Sequence, residues 1–310
     1  MNAKAIVIAG GSGFIGNALA KAFVAADRPV FVLTRKPRPR TGGIQEIRWD
    51  GEQTGEWVQS LEGAAAIINL AGRGINCRHT PENLREIAAS RINSVKAIAA
   101  GMTQLKTPPR VWVQASATGF YGDTGDRLCD ETAPNGSDTL AQVCRDWEKA
   151  CEKAGELVTV PGIRRVILRI GFVMGREGGA LPVLARMTKL FMGGAVASGR
   201  QYISWIHLAD VVGIFAAAVA NEAMSGTYNT VAPTPVTNAE FMRELRRALH
   251  RPWSPPAPAL AVKLGARLMG TEGSLALVSQ RCSAQKIMAT GFQFQFPELA
   301  PALRDLCGKI

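Results

Sequence analysis

The fold class is indicated most clearly by Ala5-Ile6-Val7-Ile8-Ala9-Gly10-Gly11-Ser12-Gly13-Phe14-Ile15-Gly16. Its first five residues form an unbroken apolar run, which is typical of a parallel strand covered on both faces. An amphipathic helix is predicted to follow over residues 17–26. A glycine-rich turn between a first strand and a first helix is where doubly wound α/β proteins bind dinucleotides. The stretch therefore predicts both this fold class and a pyrophosphate site.

The glycines of this turn each have a physical task. One permits the tight turn, one lets the backbone approach a pyrophosphate, and one lets the helix pack closely on the strand. The helix N-terminus adds N–H donors and a positive dipole end. We therefore predict that the phosphates lie on Gly10, Gly11, Ser12, Gly13, Phe14, Ile15 and Gly16. The alternative is a purely structural glycine turn.

The end of the second predicted strand discriminates between the two dinucleotides. An NAD site places Asp or Glu there, whereas this chain has Thr34 and Arg35. A guanidinium binds a 2′-phosphate through several N–H groups, and the threonine adds a hydroxyl. The sequence therefore predicts NADP(H). The alternative is a solvated basic loop, because Lys36, Arg38 and Arg40 follow.

Composition and charge restrict the other function classes. The 310 residues are 47% apolar, and the net charge is +11. The basic residues are mixed with acidic ones and lack an interleaved aromatic pattern, so no dedicated nucleic-acid partner is predicted. The longest apolar stretch, residues 211–220, is half the roughly 20 residues that a bilayer span needs. The six cysteines include no C-x-x-C pair, so no metal site is predicted. We predict a cytoplasmic protein with a small-molecule substrate and no membrane partner, and leave its oligomeric state open.

Apolar runs alternate with helical patterns along the first part of the chain, which predicts parallel strands joined by crossover helices. Residues 1–175 are predicted to form the doubly wound (Rossmann) domain, completed by 206–231, with 176–205 and 232–310 as a smaller C-terminal substrate or lid domain. Strands are predicted at 5–9, 30–33, 45–48, 66–70, 110–114, 166–169, 202–205 and 227–231, and helices at 17–26, 81–105, 139–154 and 239–249.

Further motifs carry a resemblance that extends nearly from end to end. They are Asn69-Leu70-Ala71-Gly72, Ser90-Arg91-Ile92, Ser116-Ala117-Thr118-Gly119-Phe120-Tyr121-Gly122, Trp205-Ile206-His207-Leu208-Ala209-Asp210, and the stretches 233–241 and 290–297. With the glycine turn, the chain resembles the atypical, epimerase-like branch of the extended short-chain dehydrogenase/reductases. This branch carries a C-terminal domain of unknown function.

The resemblance implies further cofactor contacts. It places Leu70, Ala71 and Gly72 beside the adenine and ribose, makes Glu86 and Arg91 candidates on the following helix, and places Val173 beside the nicotinamide. Glu86 and Arg91 could equally be ordinary surface charges, and Val173 could be plain core.

The same resemblance exposes a gap in the chemistry. The superfamily uses a Tyr for proton exchange and a Lys four residues later, but this chain has Leu140 and Cys144 at those positions. Ser116 and Tyr121 are the remaining catalytic candidates, although Tyr121 could simply pack in its loop. His207 and Asp210 supply residue types of a hydrolase triad with Ser116, but a core histidine and a helix-capping Asp210 are the simpler account.

Two functional hypotheses follow. The first is an NADP(H)-dependent, epimerase-like oxidoreductase acting on a small acidic or sugar-derived substrate. The second is a protein that senses NADP(H) and has lost turnover. The missing Tyr and Lys favour the second hypothesis, whereas the retained Ser116 loop and the predicted lid favour the first.

Overall fold

The computed structural model describes residues 4–157, 163–268, 270 and 272–308. Its strands alternate with helices over most of the chain. The strands are β1 (Ile6–Ala9), β2 (Val30–Thr34), β3 (Ile44–Arg48), β4 (Ala66–Asn69), β5 (Val111–Ala117), β6 (Arg164–Ile170), β7 (Phe172–Met174), β8 (Tyr202–Ile203), β9 (Trp205–His207), β10 (Gly226–Thr230) and β11 (Val236–Thr237).

Seven of these strands form one parallel sheet. Their order is β10-β6-β5-β4-β1-β2-β3, which places the first strand between the second and the fourth. In register, Ile6 of β1 lies opposite Val30 of β2 and Ala66 of β4. Strands β1 and β4 are buried along their whole length, as their unbroken apolar character requires of strands covered on both faces. The predicted doubly wound α/β fold is therefore confirmed.

The helices cover both faces of the sheet and extend beyond it. They are α1 (Phe14–Ala25), α2 (Pro81–Met102), α3 (Thr139–Leu157), α4 (Leu181–Lys189), α5 (Leu208–Ala220), α6 (Asn238–Ala248), α7 (Ala259–Leu268), α8 (Gln285–Met288) and α9 (Leu299–Cys307). Helix α2 begins as the sequence dictates, with the Thr80 hydroxyl accepting the Asn83 N–H and Pro81 in the first turn. None of the described helices is long and apolar enough to cross a membrane.

A second, smaller core lies outside the sheet. Helices α4, α6 and α9 pack together there, with Leu181, Phe241 and Leu303 buried among their contacts and Trp205 of β9 joining them. The sequence predicted one strand over 202–205, but the structure has two short strands with different partners: β8 pairs with β11, and β9 pairs with β7. Helix α5 and strand β10 belong with the large sheet.

The two cores are joined at the start of α5. The imidazole Nδ1 of His207 accepts the Ala209 N–H at 3.0 Å, so His207 caps the helix and the prediction that Asp210 does so is wrong. The Asp210 carboxylate instead accepts the backbone N–H groups of Gln295 at 2.7 Å and Phe296 at 3.1 Å. The Phe296 ring stacks on His207, with 3.9 Å between ring centroids. The motif at 205–210 thus anchors the C-terminal motif at 290–297.

Replacing Asp210 with Asn should weaken this junction, because the amide has one acceptor oxygen where the carboxylate uses two. We expect the free energy of unfolding of Asp210→Asn to fall by about 1–3 kcal/mol in urea denaturation. Asp126→Asn, on an exposed turn, is the matched control and should change little. Equal stability of the two variants would show that the two N–H bonds to Asp210 do not hold the C-terminal motif in place.

Candidate functional site

The glycine turn has the close contacts that its sequence predicts. A Cβ on Gly16 would lie 2.5 Å from Gly11 Cα, so only glycine lets helix α1 approach the turn this closely. Gly10 has a φ of +75°, and a Cβ there would lie 3.0 Å from the backbone of Leu70 and Ala71. A Cβ on Gly13 would meet only Gly10 O, at 3.4 Å, and Gly13 is exposed. The turn is therefore closed toward the protein and open on the Gly13 side.

The open side of the turn suits an anion. Gly13 is the N-cap residue of α1 and has no side chain to satisfy the first N–H groups of the helix. The first turn of α1 contains no acidic residue. The Phe14 ring points elsewhere, because Cβ atoms on Gly175 and Gly178 would each lie 2.4 Å from it. Phe14 thus anchors the segment after β7, while its backbone faces the turn.

The predicted 2′-phosphate residues adjoin this turn. The hydroxyls of Ser12 and Thr34 are 3.1 Å apart, which joins the glycine turn to the end of β2. Arg35 follows as an exposed side chain. Arg40, farther along the loop, donates to Asn17 Oδ1 on α1 at 2.7 Å and pairs with Glu46. The basic loop is thereby held against the first helix, beside the glycine turn.

The segment Leu70–Gly72 forms the neighbouring wall and is held by α2. The Arg73 N–H donates to Ser90 Oγ at 2.9 Å, and Arg91 Nη1 donates to Arg73 O at 2.9 Å. The Arg91 side chain lies so close to Gly72 that a Cβ there would be 3.2 Å from its Cγ. These bonds give the Ser90-Arg91 motif a structural task, and they place the Arg91 guanidinium next to the cleft wall.

Glu86 and Val173 are the two remaining residues that the resemblance makes candidates for cofactor contacts. Glu86 is exposed and pairs with Arg73, which also donates to Asn83 Oδ1. Its carboxylate is thus part of a surface cluster between the first turns of α2 and Arg73 on the loop before it. Val173 lies on β7, half-buried against the main core.

The two catalytic candidates are inside the protein. Ser116 is 3% exposed and donates to Glu148 Oε1 of α3 at 2.5 Å. Tyr121 is 1% exposed, and its hydroxyl donates to Asn229 Oδ1 at 2.7 Å. Arg169 joins them: it donates to both oxygens of Glu148, at 2.9 and 2.8 Å, and to Tyr121 Oη at 2.9 Å. The hydroxyls of Ser116 and Tyr121 are thus committed to a buried network.

The protonation states agree with a structural network. Burial raises the pKa of the Tyr121 phenol above its ordinary value despite the nearby Arg169. Burial opposes the charge of Arg169 itself, but its hydrogen bonds to Glu148 raise the pKa of the guanidinium further. Tyr121 therefore stays a neutral phenol and Arg169 stays charged.

The positions where the superfamily has Tyr and Lys are on α3, as predicted. Leu140 is partly buried there, and Cys144 is buried. Burial raises the pKa of the Cys144 thiol to about 12, so the thiol is neutral near pH 7. Neither side chain can replace the missing proton donor and its cation.

Sequence reasoning missed Glu148, Arg169 and Asn229, which complete the network. A signal for one of them was present: Arg169 interrupts the apolar run Val166-Ile167-Leu168 within a central strand. A charge in a strand covered on both faces requires a buried partner, although the sequence does not say which one.

The residues of the turn fit a dinucleotide phosphate. The donors are backbone N–H groups at a helix N-terminus, glycine removes the side chains that would block them, and the adjoining loop is basic. The site thus offers phosphate-binding groups at the carboxyl end of the apolar strand β1.

Comparison with known proteins agrees with this geometry. Residues 6–230 match the family model described as NAD dependent epimerase/dehydratase family, and residues 257–306 match a Domain of unknown function (DUF1731). The Arabidopsis thaliana protein "Epimerase family protein SDR39U1 homolog, chloroplastic" is 33% identical over 97% of this chain and 86% of its own length. "Epimerase family protein ML0860" of Mycobacterium leprae is 36% identical over 97% of this chain and 95% of its own.

A solved structure is similar along the whole chain. The crystal structure of human epimerase family protein SDR39U1 (isoform 2) with NADPH superposes with a TM-score of 0.87 and 31% identity, covering 98% of this chain and 99% of that one. The predicted resemblance, including the C-terminal domain, is confirmed. The chain therefore belongs to the NAD-dependent epimerase/dehydratase family.

Proposed function

We propose that this chain binds NADP(H) selectively and uses the dinucleotide chiefly as a ligand to be sensed, without the tyrosine-dependent proton exchange of its superfamily. Two observations together carry the proposal. The glycine turn, which we also call the glycine cradle (residues 10–16), is open to a dinucleotide phosphate, and a buried network occupies both hydroxyl candidates, Ser116 and Tyr121.

The cofactor assignment rests on two sets of residues, one for the pyrophosphate and one for the 2′-phosphate. Gly10 to Gly16 would hold the pyrophosphate on backbone N–H groups, and Thr34 and Arg35 would hold the 2′-phosphate. Leu70, Ala71 and Gly72 would lie beside the adenosine, with Arg91 behind them. The NADPH that the human relative holds in its crystal structure supports the same assignment.

The proposal that proton exchange has been lost rests on the side chains around the predicted nicotinamide position. Val173 would lie there, with Leu140 and Cys144 in place of the Tyr and Lys. A bound nicotinamide supplies a hydride, but reduction of a carbonyl also needs a proton donor at the substrate oxygen. The Ser116 and Tyr121 hydroxyls are bonded to Glu148 and Asn229 instead.

A second candidate function is hydride transfer to a small acidic or sugar-derived substrate in the cytoplasm. Membership in an epimerase/dehydratase family favours it. The smaller unit built from 176–205 and 232–310 would then serve as the substrate or lid domain.

Reversing the charge at Arg35 should separate the two dinucleotides. We expect Arg35→Glu to weaken NADPH binding about a hundredfold in calorimetric titration, because a charge-assisted hydrogen bond is replaced by repulsion. NADH, which has no 2′-phosphate, should bind within about threefold of the wild type. Lys21→Glu, on an exposed face of α1, is the matched charge reversal and should leave both affinities unchanged.

Gly13→Val tests the pyrophosphate site in the same titration. It should abolish binding of both dinucleotides while the protein keeps a cooperative urea transition, because the added side chain points to the open side of the turn. Equal losses of NADPH and NADH in Arg35→Glu would contradict the 2′-phosphate assignment. Normal binding by folded Gly13→Val would contradict the whole cradle.

Turnover is tested by following NADPH oxidation with UDP-sugars and with small oxo acids. We expect no oxidation above the rate without protein, and we expect Tyr121→Phe to bind NADPH as the wild type does, because its hydroxyl faces Asn229. Oxidation that is lost in both Ser116→Ala and Tyr121→Phe would establish the oxidoreductase instead. In that case the buried network would have to open before the Ser116 and Tyr121 hydroxyls could reach a substrate.

A further inference from the structure

Exposed apolar side chains are concentrated on one part of the surface. Ten large apolar side chains are exposed in the described part of the chain, and three of them (Ile75, Leu128 and Met288) are scattered. The other seven are on α4 and the turn after it, on the proline-rich segment before α7, and on α7. They are Val183, Leu190, Phe191, Met192, Trp253, Leu260 and Leu264, and with the cations beside them we call this surface the apolar-basic face.

The two chain segments that carry this face are joined by their backbones. Ala257 donates to Ala195 O and accepts from Ala197 N, both at 2.8 Å, as a bridge between parallel segments. Gly194 approaches Pro255 so closely that a Cβ would lie 1.8 Å from its carbonyl oxygen. The Arg251 guanidinium lies 5.4 Å from the Phe191 ring centroid. The segments that carry the seven side chains are therefore neighbours in the fold.

The charged residues within the two chain segments that carry this face are all basic. No Asp or Glu occurs between Glu177 and Asp210 or between Glu244 and Glu272, whereas the same stretches hold eight Lys and Arg residues. Arg186, Lys263 and Arg267 are exposed, and within the described residues none of these three is in a salt bridge. The face is cationic as well as apolar.

Helix α7 shows how the two properties are combined. Leu260, Lys263, Leu264 and Arg267 are spaced i, i+3, i+4 and i+7, so they share one side of the helix, and all four are exposed. On an ordinary surface helix, leucines at this spacing face the core. Here both leucines face solvent, on the same side of the helix as Lys263 and Arg267.

Phe191 adds an independent observation. It has a φ of +61°, in the left-handed region, where the residue after a helix is usually glycine. The turn closes around it, with Phe191 N donating to Thr188 O at 3.1 Å and Met192 N to Met187 O at 2.9 Å. A phenylalanine here combines an unfavourable backbone conformation with 57% exposure of an aromatic ring. The left-handed conformation closes the end of α4, whereas the ring, apart from its contact with Arg251, faces solvent.

We propose that the apolar-basic face docks this protein on an anionic membrane surface as a peripheral contact. Exposed Trp, Phe and Leu beside Lys and Arg are the combination that enters the headgroup region, where rings and leucines bury apolar area and cations meet lipid phosphates. The sequence prediction of no membrane partner used spanning length alone, which does not test surface contact. Docking goes beyond dinucleotide binding and does not depend on it.

The proposal is tested by flotation of the full-length protein with lipid vesicles. We expect it to float with vesicles of phosphatidylcholine and phosphatidylglycerol and to remain behind with phosphatidylcholine alone. Raising NaCl to about 1 M should release most of it, since the Debye length falls to about 3 Å.

Variants separate the two contributions. Trp253→Ala with Leu260→Gln and Leu264→Gln should lower the vesicle partition coefficient about tenfold or more, because buried apolar area is lost. Lys263→Glu with Arg267→Glu should lower it similarly for anionic vesicles and weaken the salt dependence. Leu128→Gln with Met288→Gln, exposed apolar residues outside the face, is the matched control and should bind as the wild type does. All variants should keep the wild-type affinity for NADPH.

Several outcomes would overturn the proposal. One is no flotation with anionic vesicles; another is equal flotation of the face variants and the control. A third is concentration-dependent self-association in sedimentation that the face variants abolish without any vesicle binding, which would make the face a contact between two copies. Loss of NADPH binding in Arg35→Glu with unchanged flotation would leave docking intact, so the two proposals fail separately.

Discussion

Arg169 is a full charge on β6, an interior strand of a sheet whose two faces are covered by helices. Breaking such a buried pair costs about 3–5 kcal/mol, so the rest of the molecule must keep Glu148 of α3 in reach. The same guanidinium holds Tyr121 after β5, and Tyr121 holds Asn229 of β10. Asn229 in turn donates to Ser283 O in the C-terminal segment. One buried cation thus sets the positions of three strands, a helix and a distant segment.

This network also explains the chemistry that the site offers. A hydroxyl that donates to a buried carboxylate, and a phenol whose pKa is raised by burial, are poor proton donors toward a ligand. The glycine cradle between β1 and α1, by contrast, depends only on backbone geometry and on the absence of side chains at Gly10, Gly13 and Gly16. Dinucleotide binding and proton exchange therefore have separate structural origins, and a chain can keep the first after losing the second.

The C-terminal unit is attached through groups that the family motifs supply. Asp210 accepts two backbone N–H groups of the motif at 290–297, and His207 stacks on Phe296 beside them. These contacts lie next to β7 and β9, between the large sheet and the second core. The start of α5 therefore holds the C-terminal unit in place. The outer helices of this unit, α4 and α7, each expose some of their side chains to solvent.

Local sequence pattern was enough to predict the parallel sheet, the glycine cradle and the basic end of β2. Each of these depends on neighbouring residues: apolar runs of strand length, glycines at fixed spacing, and one charged residue after a strand. The same kind of pattern identified the absence of the Tyr and Lys pair. Which side chains meet was settled only by the folded chain: Glu148 pairs with Arg169, Ser116 and Tyr121 point inward, and Asp210 binds the C-terminal motif. These partners are 21 to 108 residues apart, and pairing over such separations depends on packing of the whole chain, which no local pattern records.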